Sequence, residues 1–148
     1  MESILLAVDG SEHSDRAAGL AAELSRAFGA YVDVIHVVQE RVILPAGAIH
    51  EYGQLENLYL TEKDVLESVG KTVEEEAARI VREAGGKIRN ESVVVGIPAY
   101  EIVAAAKQHD VDCIIMGRRG LGDMKGLFVG SVSHRVGHLS DKTLITTE

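Results

Sequence analysis

Short apolar runs alternate with segments whose apolar residues recur every three or four positions, and this alternation leaves few folds open to the chain. The first run, Ile4-Leu5-Leu6-Ala7-Val8, has no polar residue, as a strand buried on both faces requires. It stops at the turn cluster Asp9-Gly10-Ser11, where Ser11 or Ser14 can cap the next helix. Ala17, Leu20, Ala21, Leu24 and Phe28 form that helix's stripe, and Gly29 closes it. Val32, Val34, Ile35, Val37 and Val38 predict a second strand, and Gln39 to Tyr52, with Pro45 and Gly47, a loop. Leu66, Val69, Val73, Ala77, Ile80 and Ala84 mark a long helix ended by Gly85-Gly86. Glu74, Glu75, Glu76, Arg79 and Arg82 read as its solvated face. A third strand is expected at Val93-Val94-Val95, then a helix opened by Pro98 with Ile102, Val103 and Ala106 inward. Cys113 to Met116 is the fourth strand and Gly117 to Gly130 a glycine-rich loop. Ser131 to Leu139 is a short helix with Val132, Val136 and Leu139 inward, and Leu144-Ile145-Thr146 the last strand.

Buried strands alternating with amphipathic helices predict a single α/β domain over residues 1–148. It is a three-layer open parallel sheet with helices on both faces. Ligands of such sheets bind beyond the carboxyl ends of the strands. That rule singles out Asp9-Gly10-Ser11, Val37-Val38, Gly96-Ile97 and Gly117 onward.

Charge removes several classes of partner. A net charge of -8 disfavours nucleic acid, which needs clustered Lys and Arg, and it is repelled by anionic membranes. No apolar run approaches the ~20 residues of a membrane helix, so no membrane insertion is expected. Met1-Glu2-Ser3 lacks the basic start of a signal peptide. Cys113 is the only cysteine and lies in an apolar run, which suits core packing and a reducing, cytoplasmic location.

One acidic-poor segment stands out. Gly117, Gly120, Gly122, Gly126 and Gly130 precede Ser131-Val132-Ser133 at a predicted helix start. Arg118, Arg119, Lys125 and Arg135 accompany them, with Asp123 the lone acid between Gly117 and Arg135. Glycine lets backbone amides face a ligand, and a helix N-terminus presents unpaired N–H groups with partial positive charge. The segment therefore reads as a phosphate seat, or else as a plain surface loop capped by Ser131. Other signatures fail. No G-x-G-x-x-G follows the first strand, and Gly70-Lys71-Thr72 lacks the P-loop's first glycine, since position 65 is Val65. No G-x-S-x-G elbow exists, and Cys113 lacks the setting of an activated thiolate. His134 and His138 are four apart, but no third metal ligand is indicated. His36 reads as a packing residue, and His13, His50 and His109 have no partner in the pattern. Gln39–Leu60 reads as a lid or partner surface, or as a helix start folding onto the core.

The spacing Gly117-x-x-Gly120, nine residues, then Gly130-Ser131 resembles the G-x2-G-x9-G-S/T signature of the ATP-binding universal stress proteins. The likeness extends to Ile4 through Ser11, Ile35-His36-Val37-Val38, Val95-Gly96-Ile97-Pro98 and Ile115-Met116-Gly117. It implies a Rossmann-like, adenine nucleotide alpha hydrolase-like sheet in the order 3-2-1-4-5. It implies ATP with Mg²⁺ or Mn²⁺. Asp9 would contact the ribose or the metal on the phosphates, the backbone of Val37 would meet the adenine edge, and Ala7 and Val8 would flank the adenosine. Met116 and Gly117 would lie by the ribose and α-phosphate. Gly120, Gly130, Ser131, Val132 and Ser133 would cradle the phosphates, with Arg118 in the same set. The resemblance also implies a homodimer through the last strand, or a larger oligomer, and a regulatory role toward a protein partner. A slow Mg-dependent ATPase or phosphotransferase, or a sensor of another adenine nucleotide such as AMP, remains an alternative. The last strand departs from the family pattern: Lys142-Thr143 precedes it and Thr146-Thr147 follows, where a proline and a purely aliphatic strand are usual.

Overall fold

The first apolar run becomes the middle of a sheet. In the computed structural model, which describes residues 1–39, 62–121 and 130–148, all of β1 (Ser3–Val8) is buried. Around it lie α1 (Glu12–Phe28), β2 (Tyr31–Val38), α2 (Glu62–Glu83), β3 (Lys87–Val95), α3 (Pro98–Gln108), β4 (Cys113–Gly117), α4 (Ser131–Leu139) and β5 (Thr143–Thr147). The five strands are parallel in the order β3-β2-β1-β4-β5. Strand alternation sends Ile4, Leu6, Val32, Val34, Cys113 and Ile115 to one face, under the alanine-rich stripe of α1 and Ala77, Ala78 and Val81 of α2. Leu5, Ala7, Ile35, Ile114 and Met116 face the other way, under α3 and α4. Burial raises the Cys113 thiol above its ordinary pKa, as an inert core thiol requires.

Four readings of the sequence are corrected. β3 begins at Lys87 rather than Val93, pairing from Tyr31↔Lys87 onward. It is an edge strand, so its outer half needs no apolar run. Phe28 and Leu139 are exposed, because each is the last residue of its helix, where the stripe runs out. His109 has a partner: its Nδ1 lies 2.9 Å from Asp33 Oδ2. Asp33 is buried on β2 and also accepts from Arg89 Nε and Nη2, at 2.9 and 2.6 Å, and from Asn90 Nδ2 at 3.0 Å. Burial alone would raise its carboxyl; the Arg89 guanidinium, with His109 and Asn90, outweighs that and holds it below the ordinary value.

The fourth correction is Glu74, which is fully buried rather than solvated. Its helix lies against β3, whose polar half offers Glu91 instead of an apolar cover. Lys71 Nζ donates to Glu74 Oε2, while Oε1 finds no partner among the described residues. Burial raises the Glu74 carboxyl, Lys71 opposes this, and Glu91 raises it further. The expected loop Gln39–Tyr52, apart from Gln39, and His50, Gly122, Asp123, Lys125 and Gly126 lie outside the described residues.

Candidate nucleotide site at the strand ends

β1 and β4 end side by side, with Ala7 opposite Met116, and beyond them the chain opens into a cleft of about 480 Å³. That volume falls within the roughly 300–1,000 Å³ usual for small-molecule sites. The floor is the ends of β1, β2 and β4; one wall is Val69, Gly70 and Val73 of α2, and the other is Gly130 to Ser133 of α4. All twelve residues expected at the site line this one cleft: Ala7, Val8, Asp9, Val37, Met116, Gly117, Arg118, Gly120, Gly130, Ser131, Val132 and Ser133.

Asp9 is built into the cleft by its own neighbours. Its Oδ1 accepts from Ser11 N–H and Oγ–H, at 3.0 and 2.6 Å, and its Oδ2 accepts from Leu121 N–H at 3.2 Å. A Cβ at position 120 would stand 2.4 Å from Asp9 Oδ2, so glycine there lets the carboxylate keep this position. The carboxylate thus ties the start of the glycine loop to the end of β1. Ser11 also caps α1, its Oγ accepting from Ser14 N–H at 3.2 Å.

The far end of the glycine loop is fastened differently. Gly130 N–H donates to Arg118 O at 2.8 Å, and Ser133 Oγ–H points at Arg118 O and Gly130 O, at 2.8 and 3.1 Å. Ser133 is buried, so its hydroxyl holds backbone together. The first intrahelical bond of α4 runs from His134 N–H to Gly130 O at 3.0 Å. The amides of Ser131, Val132 and Ser133 precede it, at the positions that a helix leaves without intrahelical partners. Gly130, as N-cap, supplies no side-chain cap. An uncapped helix start on a cleft wall presents N–H groups and partial positive charge, the features that favour an anion. Arg118 and Arg119 add positive charge; their buried Nε atoms find no acceptor among the described residues, although Arg118 also pairs with Glu148.

The α2 wall was not anticipated from the sequence. Gly70 was its one signal, because glycine inside a helix costs about 1 kcal/mol relative to alanine and needs a packing reason. The reason is close approach: a Cβ there would stand 2.7 Å from both Val38 and Val93. This contact brings Val69 and Val73 over the strand ends, leaving Val69 56% exposed toward the cleft. His36 also lines the cleft, and its Nδ1 lies 2.7 Å from Val8 O, so that nitrogen carries the proton. His134 and His138 lie outside the cleft.

A parallel doubly wound sheet with its cleft at the strand carboxyl ends, walled by an uncapped helix start, defines the class: a Rossmann-like α/β domain. Residues 1–147 match the Universal stress protein family. The chain belongs to that family. It is 33% identical over 136 residues to a universal stress protein of Thermus aquaticus, covering 91% of this chain and 90% of the relative. Among solved structures, MJ0577 of Methanocaldococcus jannaschii superposes with a TM-score of 0.74 at 27% identity, covering 99% and 94% of the two chains. The universal stress protein from Archaeoglobus fulgidus in complex with dAMP gives 0.67 at 25% identity, covering 100% and 98%.

Proposed function

We propose that this protein binds ATP in the strand-end cleft and acts as a regulatory stress-response module rather than as a dedicated catalyst. The observation that carries this reading is the start of α4: three leading amides and a glycine N-cap form a cleft wall that bears Arg118 and Arg119 nearby. The adenosine half would rest on the apolar side, against Val37, Val69 and Val73. Mg²⁺ or Mn²⁺ fits as a companion of the phosphates. Asp9 Oδ2 lies in the cleft and accepts from Leu121 N–H, and Mg²⁺ commonly takes one or two carboxylates beside phosphate oxygens. When bound, the metal would offset phosphate charge next to Asp9. The homodimer would form along β5, an edge strand of the sheet. No described helix is long and apolar enough to cross a membrane, and the lone buried thiol suits the cytoplasm. A second reading, a monophosphate such as AMP as the ligand, draws on the Archaeoglobus relative's dAMP.

Thermal shift with ATP, ADP and AMP ranks the ligands, because a ligand that binds only the folded state raises the melting temperature by mass action. Ser131→Pro tests the geometry. Gly130 sits at φ -68°, ψ 149°, the conformation that a residue before proline prefers, and proline is tolerated at a helix's first position. The variant should fold normally while losing one amide donor and one hydroxyl. Each charge-assisted hydrogen bond is worth about 1.5–3 kcal/mol, so loss of the amide alone should lower nucleotide affinity roughly 10- to 100-fold, and loss of the hydroxyl bond as well should lower it further. Unchanged ATP affinity in a folded Ser131→Pro protein would contradict the reading.

A further inference from the structure

On the solvent side of α4 lies a second arrangement, separate from the cleft. Val136 and Ser133 are buried and pin one face of the helix to the domain. His134 and His138 are exposed, one turn apart, on another face. Their rings meet edge to face, with centroids 4.5 Å apart and planes at 73°. The two Nε2 atoms are 3.3 Å apart. At that distance one ring can donate an N–H···N hydrogen bond to the other when its Nε2 carries the proton. With both Nε2 atoms unprotonated, the same separation matches the bite of a metal chelate. With metal–nitrogen bonds of about 2.0–2.1 Å, two tetrahedral ligands stand about 3.3–3.4 Å apart, and two ligands at right angles about 2.9 Å.

We propose that His134 and His138 form a two-point chelate for borderline divalent transition ions such as Zn²⁺ and Cu²⁺, the present separation suiting a tetrahedral ion and a slight closing of the rings suiting Cu²⁺. No group of three or more His, Cys, Asp or Glu able to hold a metal occurs among the described residues, so water completes the coordination. Imidazole donors select these ions over Mg²⁺, which demands oxygen, and Cu²⁺ heads the divalent affinity series. The helix holds the second histidine in reach once the first has bound. Such an intramolecular second contact multiplies affinity by 10² or more. A bridge across one turn also braces α4, which has only nine residues.

The test uses the full chain, nucleotide-free, at pH 7.5. Calorimetric titration with CuCl₂ should give one site per chain that excess Mg²⁺ does not displace. Electron paramagnetic resonance should show two coordinated imidazole nitrogens. His134→Ala and His138→Ala should each lower affinity about 100-fold, with the apo circular dichroism unchanged. Two results overturn the proposal: either single variant binding Cu²⁺ as tightly as the parent chain, or a parent spectrum with fewer than two imidazole nitrogens. The parent spectrum decides the matter even if a variant does not fold.

Discussion

Replacing Gly120 with alanine should destabilise the domain through Asp9, the one contact that a Cβ there would meet among the described residues. The new methyl would stand 2.4 Å from Asp9 Oδ2, with the next nearest atom, Asp9 Cγ, at 3.6 Å. Relief requires the carboxylate to turn away. That surrenders the bond from Leu121 N–H at 3.2 Å and disturbs the two from Ser11 at 3.0 and 2.6 Å. A hydrogen bond to a charged group contributes about 1.5–3 kcal/mol, and partial exposure of the loop places this one toward the lower end. Gly120 does not use the left-handed backbone region, so alanine recovers about 0.4–1 kcal/mol by restricting the unfolded chain. The net loss should be about 0.5–1 kcal/mol, more if the Ser11 bonds also weaken, read from urea denaturation. A double-mutant cycle isolates the cause. In an Asp9→Ala background the same substitution has no carboxylate to displace and should be neutral or slightly stabilising. An equal loss in both backgrounds would show that the glycine answers to something other than Asp9.

Two buried carboxylates should give opposite pH dependences. Asp33 is held below its ordinary value, so its contribution is complete above about pH 4 and fades as pH falls through the folded value. Asp33→Asn should flatten urea midpoints measured below pH 4. It should also cost about 3 kcal/mol at neutral pH, the lower end for breaking a buried pair, because Arg89 is partly exposed. Glu74 is raised, so folding takes up a proton and stability declines as pH climbs from about 4.3 toward the raised value. Glu74→Gln should remove that decline and be more stable than the parent by about 1 kcal/mol at pH 8; a destabilised variant at that pH would mean that the carboxylate form, not the acid, is what α2 packs around.

What was legible in the sequence follows from how many neighbours each residue has. β1 has a strand on either side and helices over both faces, so Ile4 to Val8 are all apolar and the strand can be read directly to within one residue, Ser3. β3 has one neighbouring strand, and its first half, Lys87 to Ser92, is mostly polar; only knowledge of the strand order reveals that it pairs at all. Alternation alone predicted a parallel sheet, while the order 3-2-1-4-5 came with the family resemblance. Glu74 escaped because helical period assigns a face, and the face of α2 over β3 is lined with charge. In the cleft, the floor and the α4 wall sit at strand ends and in a spaced motif, both visible in one dimension. The α2 wall depends on a helix crossing distant strands, and one glycine was its only trace.

The fold places several helix starts at the ligand end of the sheet, and their sequences decide which one meets a phosphate. α1 opens with Glu12 and Asp15 in its first turn and is capped by Ser11. Its cap already takes the Ser14 amide, and its charge would repel an anion. α3 begins with Pro98, which removes one donor, and carries Glu101 in its first turn. α4 has no acid in its first turn, no side-chain cap, and a glycine before it that exposes the amides. Carboxylates near a helix N-terminus stabilise an isolated helix by about 0.3–1 kcal/mol, so α4 forgoes a stabilisation that its neighbours take. A bound anion would restore it. This couples ligand to stability in one place: occupancy should protect the amides at the start of α4 from hydrogen exchange far more than those of α1, whose cap does not depend on the ligand.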